Sequence, residues 1–416
     1  MEQAILVYLD LEGTLVKVGR LWSRYRHGRE SMSFEYDRDW LNHPKRFSFD
    51  PALKLDPGSF HASPDKPLFG AIDDSAPDRW GRLLMRRSER KNAENQKRTA
   101  RVLKEIDFLL MVDDEGRQGA LRFKKEEQDP FLTTYERNHI PPLVKVGKLL
   151  TAASHLLQET DTEEDLRLLL APGSSLGGAR PKASVKDKDG HLAIAKFPKM
   201  DDEIDTIGWE AVALTLASKA RIKVPEWRLE SIGRRRILLS RRFDRKKNIR
   251  IPFLSAMSVL QAKDNEMHSY LEIADAIRQI SASPKEDLEA LWRRIIFNVL
   301  ISNVDDHLRN HAFLYFGLSG WRLSPAYDLN PTPTDIKPRI LSTAIDLIDP
   351  RASLDLAVDV AHYFDLNSQQ AKEILKEVGS ATTLWNKEAA KLKIKKAEID
   401  RMASAFEHED LQKATK

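Results

Sequence analysis

Hydrophobic patterning divides this 416-residue chain into two unlike halves. Before residue 255, apolar and polar residues alternate in several runs, the pattern of half-buried β-strands. From Ser255 onward the pattern is mainly helical, interrupted by one apparent hairpin at 311–323. Single hydrophobic cores rarely grow beyond about 250–300 residues. The sequence therefore predicts an α+β fold with a β-rich N-terminal lobe and an α-helical C-terminal lobe, the outline of a two-lobed enzyme with a cleft.

Local patterns suggest three consecutive regions. Residues 1–105 are predicted to form a small β-containing subdomain that begins with a hairpin at 5–18, turning at Glu12-Gly13. A second β-containing region, 106–254, is expected to start near Phe108, with strands at 109–112 and 119–123 and a glycine-rich loop further on. Residues 255–416 form the helical lobe.

Composition excludes several classes of protein. The absence of cysteine rules out disulfides, thiolate catalysis and cysteine-ligated metal centres. No apolar run approaches the roughly 18 residues of a membrane-spanning helix, and the first residues lack the basic stretch of a signal peptide. We therefore expect a cytoplasmic protein with no membrane partner.

The net charge of +4 does not by itself indicate a nucleic-acid-binding protein. Basic residues nevertheless crowd between Arg79 and Lys104, and again between Arg234 and Arg250. Solvated surfaces and phosphate contacts, to ATP, RNA or DNA, both explain such clusters. The sequence leaves these alternatives open.

The segment 297–311 carries the strongest chemical signal. Asp305 precedes Asn310 by five positions, just after an apolar helical run and just before an apolar strand. Protein kinases use this Asp-x-x-x-x-Asn spacing in the catalytic loop, where the Asp accepts the proton of the substrate hydroxyl and the Asn coordinates Mg²⁺. The spacing serves that purpose because both groups must face one transferring phosphoryl group.

Three further residues occur in the order that a kinase requires. Asp328 follows the predicted hairpin, where kinases carry a metal-binding Asp, although Tyr327-Asp328-Leu329 departs from the usual Asp-Phe-Gly. Lys196 lies on the predicted strand 192–197, where a lysine would hold the ATP phosphates, and Glu210 on the next helix is its candidate partner. The ordered set favours phosphoryl transfer far more than any one residue does.

The glycine-rich loop is ambiguous. Gly173, Gly177 and Gly178 would allow backbone N–H groups to approach phosphate, yet the loop fits neither the P-loop nor the dinucleotide-binding pattern. A simple linker explains it equally well. His307 and His311 are four residues apart, but no third zinc ligand accompanies them, and a structural role is the better interpretation.

These segments together resemble the HipA family of toxin kinases. The motifs that carry the resemblance cover most of the chain: Asp73 to Arg82, Gly119 to Leu121, Ser175 to Lys182, Ile194 to Pro198, Arg242 to Arg245, Asn303 to Asn310 and Pro325 to Asp328.

The resemblance implies an ATP- and Mg²⁺-dependent serine/threonine protein kinase with a HipA-like, protein-kinase-like fold. It assigns Asp305 as catalytic base, Asn310 and Asp328 as Mg²⁺ ligands, and Lys196 as the phosphate clamp. It further implies ATP contacts from the glycine loop, at Gly177, Gly178 and Lys182, and from the hinge near adenine, at Arg242 and Phe243. Glu210, as the candidate partner of Lys196, completes the predicted nucleotide-binding set.

The resemblance also implies regulation and partners. Ser175 would be autophosphorylated, which ejects the glycine loop and inactivates the enzyme. A HipB-like DNA-binding antitoxin would neutralise the toxin, and DNA would be reached through that antitoxin. The protein substrate would be an aminoacyl-tRNA synthetase, phosphorylated on serine so that growth arrests.

Two other functions remain compatible with the sequence. A catalytically weak kinase fold could act with the antitoxin as a DNA-bound co-repressor, which predicts salt-dependent DNA binding and no ATP turnover. A small-molecule kinase would share all of the ATP chemistry and differ in the acceptor alone.

Overall fold

The structure is a computed structural model that describes residues 2–132, 140–173, 178, 180–233 and 235–416. Its strands are β1 (Glu2–Leu11), β2 (Thr14–Arg26), β3 (Arg29–Tyr36), β4 (Ser59–His61), β5 (Leu121–Lys124), β6 (Lys182–Lys186), β7 (Leu192–Lys196), β8 (Trp227–Ile232), β9 (Arg235–Arg241), β10 (Arg245–Lys246), β11 (Ile249–Arg250), β12 (Phe253–Ser255), β13 (His268–Ser269), β14 (Ala312–Tyr315), β15 (Trp321–Leu323) and β16 (Thr343–Ala344).

The α-helices follow the division that the sequence predicts, and most lie in the second half of the chain. They are α1 (Arg38–Leu41), α2 (Gly70–Asp74), α3 (Arg79–Asn95), α4 (Glu105–Met111), α5 (Val146–Leu157), α6 (Glu163–Gly173), α7 (Thr206–Lys219), α8 (Ala256–Val259), α9 (Tyr270–Ile280), α10 (Pro284–Leu300), α11 (Leu354–Asp359), α12 (Ser368–Thr382), α13 (Trp385–Lys391), α14 (Lys396–Phe406) and α15 (Glu409–Ala414). Short 3₁₀ helices occur at Leu143–Lys145, Leu308–Asn310, Gly317–Ser319 and Ala361–Phe364. Among the described residues, no helix has the length and apolar character needed to cross a membrane.

Contacts within the chain define two compact units. The first comprises Met1–Met200 and Glu230–Gln261, and the second comprises Asp201–Leu229 and Ala262–Lys416. The second unit thus includes α7, which the sequence analysis placed in the region 106–254. The reason is packing, because α7 is buried on most of its surface and packs against α12 and α13 of the second unit.

An antiparallel sheet in the order β4-β3-β2-β1-β5 forms one part of the first unit. The predicted hairpin at its centre is confirmed, with positive φ values of 56° at Glu12 and 86° at Gly13. The Asp10 carboxylate accepts a hydrogen bond from Gly13 N at 2.9 Å and closes the turn. Since β5 pairs with β1, this sheet extends beyond the predicted boundary at residue 105.

Residues 109–111 belong to a helix, so the strand predicted at 109–112 is wrong. The Glu30 carboxylate accepts hydrogen bonds from Glu105 N at 2.9 Å and Ile106 N at 3.2 Å. The Asp107 carboxylate accepts one from Lys104 N at 2.9 Å. These bonds satisfy N–H groups that the start of a helix leaves without partners. A short apolar run fits either element, and here the capping side chains favour α4.

A second sheet, in the order β6-β7-β9-β8, packs with α3, α5 and α6 around the main apolar core of the first unit. This core includes Trp80, Leu84, Phe108, Leu149, Leu156, Leu169, Ala183, Val185, Ala195, Phe197, Ile237 and Leu239. It holds β6 and β7 in place, and these two strands carry Lys182 and Lys196.

A buried ionic network connects distant segments of the first unit. The Asp244 carboxylate accepts hydrogen bonds from Arg242 Nε at 2.8 Å, from an Arg245 guanidinium nitrogen at 2.8 Å and from Gly119 N at 2.8 Å. The Arg242 guanidinium also donates to the carbonyl oxygens of Gly116 and Arg117. Burial by itself raises the pKa of Asp244, but Arg242 and Arg245 outweigh burial and hold the pKa well below its ordinary value.

Asp244→Asn should therefore destabilise the protein by about 3–5 kcal/mol near neutral pH, since it leaves two buried guanidinium groups without their carboxylate. An Asp with a lowered folded-state pKa contributes stability above its unfolded pKa of about 3.9, and loses it as pH falls through the folded pKa. Urea denaturation should thus show a difference from wild type that shrinks in acid. The exposed Asp56→Asn serves as a control that should change stability by less than about 0.5 kcal/mol. Equal stability of the Asp244 variant and the wild type at neutral pH would contradict this account.

The second unit is built around α10. Its residues from Leu291 to Leu300 are all buried, and the helix packs against α9, α11 and α12. The Trp292 indole donates a hydrogen bond to Ala357 O at 2.8 Å, which fixes α10 against α11. α10 therefore provides a rigid support for the loop that follows it, which contains Asp305.

Candidate active site

The loop that contains Asp305 and Asn310 is placed as the sequence predicts, between a buried helix and an apolar strand. α10 ends at Leu300, a 3₁₀ turn spans Leu308–Asn310, and β14 begins at Ala312. Ser302 has a positive φ of 52°, and its hydroxyl donates to Ala405 O at 2.8 Å. The loop thus leaves α10 through a sharp, anchored turn.

Asp305 and Asp306 are adjacent in sequence but differ in environment. The Asp305 side chain is 60% exposed. Asp306 is 2% exposed and accepts three hydrogen bonds at Oδ2, from Tyr270 at 2.6 Å, His311 at 2.7 Å and Asn298 at 2.8 Å. Asp305 is therefore the carboxylate that a substrate can reach, whereas Asp306 holds the loop together.

The electrostatics of Asp306 agree with a structural role. Burial by itself raises its pKa, but the charge of His311 and the hydrogen bonds from His311 and Tyr270 hold the pKa below its ordinary value. Burial, reinforced by Asp306, raises the pKa of Tyr270 well above its usual range. Asp306 is thus held as a carboxylate and Tyr270 as a neutral donor, and His311 has the structural role expected from the sequence.

The peptide groups on both sides of Asp305 are fixed by a downstream segment. Ser342 donates to Val304 O from its backbone N–H and from its hydroxyl, both at 3.0 Å. The Thr343 hydroxyl donates to Asp306 O at 2.7 Å. The backbone is therefore held on either side of Asp305, while the Asp305 side chain is largely exposed.

A lysine contacts Asp305 from outside the motif. Lys337 Nζ lies 3.5 Å from Asp305 Oδ1, and the Lys337 side chain is 54% exposed. Sequence reasoning missed this residue, because Lys337 is 32 positions downstream and belongs to no motif.

Asn310 is buried and oriented by its own loop. Its amide nitrogen donates to Asp305 O at 3.3 Å, which leaves the side-chain oxygen as the acceptor that a hard cation requires. Asn310 is 6% exposed, so its side chain has little freedom. This geometry fits the predicted role of Asn310 as a metal ligand, and the role stays a prediction.

Asp328 is connected to the same loop by hydrogen bonds of its neighbours. The Tyr327 hydroxyl donates to Arg309 O at 2.7 Å, so the residue before Asp328 is bonded to the residue before Asn310. Asp328 itself has a φ of +59°, which is uncommon for a residue other than glycine. The amide nitrogen of Asn330 donates to both Asp328 O, at 3.1 Å, and Asp328 Oδ1, at 3.3 Å. The Asp328 carboxylate is thus oriented by the side-chain amide of Asn330.

A row of asparagines connects this turn to Asp306. Asn330 N donates to Asn303 Oδ1 at 3.2 Å, Asn303 Nδ2 to Asn298 Oδ1 at 3.0 Å, and Asn298 Nδ2 to Asp306 Oδ2 at 2.8 Å. Sequence reasoning assigned these asparagines no role. A usable signal existed, because Asn298 interrupts an apolar helix, and a polar residue at a core position needs hydrogen-bond partners.

In the first unit, Lys182 and Lys196 occupy opposite positions on neighbouring strands. Lys182 begins β6, Lys196 ends β7, and the two residues are paired in register. Lys182 is 4% exposed, and its Nζ lies 3.3 Å from the Asp78 carboxylate. Burial raises the pKa of Asp78 to about 6, against the opposing effect of Lys182. This ion pair provides the buried Lys182 ammonium with an opposite charge.

The described end of the glycine loop is attached to α3. Gly178 has a φ of +102° and its carbonyl oxygen accepts from Trp80 N at 3.4 Å. The Trp80 indole donates to Lys182 O at 2.9 Å. Ser175 and Gly177 lie outside the described residues.

The other predicted nucleotide-binding residues are distributed between the two units. Glu210 is 4% exposed on α7 of the second unit, whereas Lys196 belongs to the first, and their pairing stays a prediction. The Arg242 guanidinium is occupied by the buried network around Asp244. A contact of Arg242 or Phe243 with adenine through the backbone also stays a prediction.

Among the described residues, Asp187, Asp189 and His191 form the group of side chains that lie within 4.8 Å of one another and could hold a metal ion. The Asp187 carboxylate already accepts from Asp189 N at 3.0 Å and His191 N at 2.8 Å, so it closes its own turn. This group is distinct from the pair Asn310 and Asp328.

The sheets and helices of the two units define a protein-kinase-like fold. Residues 174–385 match the family model described as the HipA-like C-terminal domain. The match covers more than half of the chain, and the chain belongs to the HipA family.

Individual proteins agree with this assignment. Putative kinase Y4mE of Sinorhizobium fredii is 26% identical over 349 residues, 76% of each chain. A Haemophilus influenzae protein named "Putative kinase" is 41% identical over 66 residues, 16% of this chain and 19% of that protein. A chain in the solved complex of HipA, HipB and operator DNA from Shewanella oneidensis MR-1 has a TM-score of 0.66 at 15% identity, covering 99% of this chain and 96% of that chain. The predicted family and the two-lobed α+β fold are confirmed.

Proposed function

We propose that this protein is a HipA-type kinase that transfers the γ-phosphoryl group of ATP to a serine or threonine hydroxyl of a protein. The observation that carries the proposal is the difference between Asp305 and Asp306. One carboxylate is presented to solvent on a backbone that is fixed on both sides, and its neighbour is used entirely to hold the loop. A catalytic base requires this combination of access and fixed position.

Asp305 would accept a hydrogen bond from the attacking hydroxyl, orient its oxygen towards phosphorus and take its proton as the new bond forms. The side-chain oxygen of Asn310 and the carboxylate of Asp328 would hold Mg²⁺, and Lys196 would bind the phosphates. ATP with Mg²⁺ supplies the phosphoryl group and neutralises its charge when bound. The contribution of the protein is mainly position and fixed charge.

Partners and regulation follow the family. The Shewanella HipA is found with HipB and operator DNA, and we propose a HipB-like antitoxin as the partner of this chain. An aminoacyl-tRNA synthetase is the proposed substrate, and Ser175 is the proposed autophosphorylation site.

The direct test is phosphoryl transfer by the purified chain. Dephosphorylated protein is incubated with ATP and Mg²⁺, and its intact mass is compared with that of a sample without ATP and of Ser175→Ala. We expect a gain of one phosphoryl group that Ser175→Ala loses, and transfer from radiolabelled ATP to a member of a synthetase panel. The proposal would be overturned by a protein that neither modifies itself, nor transfers phosphate to any protein of the panel, nor binds ATP by calorimetry. Transfer to a metabolite and to no protein would overturn it in favour of a small-molecule kinase.

Lys337 provides a prediction within this function. Its ammonium orients the Asp305 carboxylate and adds a positive charge beside it. An exposed ion pair contributes only about 0.2–1 kcal/mol to stability. Lys337→Met should therefore leave the unfolding curve nearly unchanged, yet lower kcat about tenfold, a change of about 1.4 kcal/mol in the barrier. The exposed Lys372→Met is the control, and equal kcat for the two variants would show that Lys337 has no catalytic part.

A further inference from the structure

Two segments near the start of the chain carry a large excess of positive charge. Residues 79–104 contain ten Lys or Arg and two Glu, and residues 20–29 contain four Arg and no acidic residue. The two segments together carry a net charge of +12, while the whole chain carries +4. The rest of the chain is therefore net negative. The other basic run, between Arg234 and Arg250, differs because several of its arginines are paired inside the first unit, with Asp244 and Asp114.

Within residues 79–104, five cations are already paired with acidic groups, and Glu94 forms no ion pair among the described residues. Arg82 binds Glu105 with two hydrogen bonds of 2.7 and 2.6 Å. Arg98 and Arg101 both bind Glu89. Arg87 binds Glu159 at 2.7 Å and Lys91 lies 3.8 Å from Asp161.

Three other cations form a row on α3. Arg79, Arg86 and Arg90 are exposed, and in the described part of the chain no carboxylate pairs with any of them. Residues seven and eleven positions apart on a helix point within about 40° of the same direction. At a rise of about 1.5 Å per residue, Arg86 lies about 10 Å along the helix axis from Arg79 and about 6 Å from Arg90. The opposite side of α3 is fixed in the core by Trp80 and Leu84. α3 therefore presents a linear array of guanidinium groups to solvent.

The second basic segment is attached to the first. Lys104 Nζ lies 3.6 Å from the centre of the Tyr25 ring, at the end of the β2–β3 hairpin. The Glu30 carboxylate of the same hairpin accepts the hydrogen bonds from the start of α4. The hairpin tip thus lies beside residues 104–106, directly after the basic stretch.

The hairpin tip carries an uncompensated repulsion. Arg26 and Arg29 are both exposed and are paired directly opposite each other across the strands. Like charges in that position destabilise a hairpin. An external anion between them would remove the repulsion.

We propose that Arg79, Arg86 and Arg90 of α3, with Arg26 and Arg29 of the hairpin tip, form a basic surface that binds the phosphate backbone of a nucleic-acid duplex. Arginine suits phosphate because its planar guanidinium donates two parallel hydrogen bonds. The extended array matches the regularly repeated charges of a duplex better than a single small anion. Since the core-facing side of α3 is buried, the helix has no apolar side free to enter a lipid bilayer. This surface would give the chain its own affinity for nucleic-acid duplexes of any sequence.

The test measures binding of the full chain to a fluorescein-labelled 20-base-pair DNA duplex of arbitrary sequence, by fluorescence anisotropy between 50 and 200 mM salt. ATP is omitted, so the result does not depend on kinase activity. Each phosphate contact contributes about −0.9 to the slope of log K against log salt. The triple variant R79Q/R86Q/R90Q should bind more weakly and have a slope smaller in magnitude by about 3.

The matched control is R46Q/K54Q/K125Q, which removes the same charge from exposed residues of the first unit outside the two basic segments. It should retain nearly the wild-type slope. Absence of duplex binding by the wild type at 50 mM salt, or an equal loss in both triple variants, would overturn the proposal. Binding to phosphatidylglycerol vesicles without binding to the duplex would overturn it in favour of a membrane surface.

Discussion

Asp305→Asn should reduce phosphoryl transfer by about 10²–10⁴-fold, the usual contribution of a general base. The amide keeps the size of the side chain but cannot take the proton of the attacking hydroxyl. Because the Asp305 side chain is 60% exposed and forms an ion pair with the similarly exposed Lys337, the fold should not depend on Asp305. The measurement is single-turnover transfer to protein substrate, together with urea denaturation of the same preparation.

Transfer at the wild-type rate by Asp305→Asn would contradict this prediction and show that Asp305 is not the catalytic base. Loss of activity together with a loss of several kcal/mol in stability would show that Asp305 supports the fold despite its exposure. Activity could also be lost because the variant no longer binds ATP. Calorimetry tests this, and we expect the variant to bind ATP as the wild type does.

The sequence predicts the parts of this site that lie close together in the chain. Asp305 and Asn310 are found by their spacing, because one short loop must present both. Lys337 is not found, since its contact with Asp305 depends on how a distant segment returns to the loop. The asparagine row is of the same kind, because Asn330 reaches Asn303 only through tertiary structure.

In the fold as well, the sequence predicts local features and misses those that depend on distant residues. The hairpin β1–β2 follows from alternating residues and a Glu-Gly turn, all of which are local. The misassigned stretch 109–112 depends on Glu30, which caps α4 from about 75 residues earlier in the chain. The membership of α7 in the second unit depends likewise on Trp209, whose indole donates to Glu398 at 2.8 Å. Local patterns thus predict individual helices and strands. Polar contacts between distant residues decide the type of an ambiguous segment such as 109–112 and the unit to which a helix such as α7 belongs.

Asp306→Ala should affect stability where Asp305→Asn affects activity, with a loss of about 3–5 kcal/mol in the free energy of unfolding. The substitution leaves the donors of Tyr270, His311 and Asn298 buried without their common acceptor. Since the pKa of Asp306 is lowered in the folded state, its contribution is present above the unfolded pKa of about 3.9 and is lost as pH falls further. The difference from wild type should therefore shrink in acid.

Tyr270→Phe provides the matched control, because it removes one donor and leaves the others in place. It should cost about 1–2 kcal/mol in the wild type and clearly less in the Asp306→Ala background, where its acceptor is already absent. That coupling distinguishes a hydrogen-bonded loop support from general core damage, which would make the two losses additive. Additive losses, or an Asp306→Ala protein as stable as the wild type, would mean that the loop presenting Asp305 is held mainly by its backbone contacts with Ser342 and Thr343.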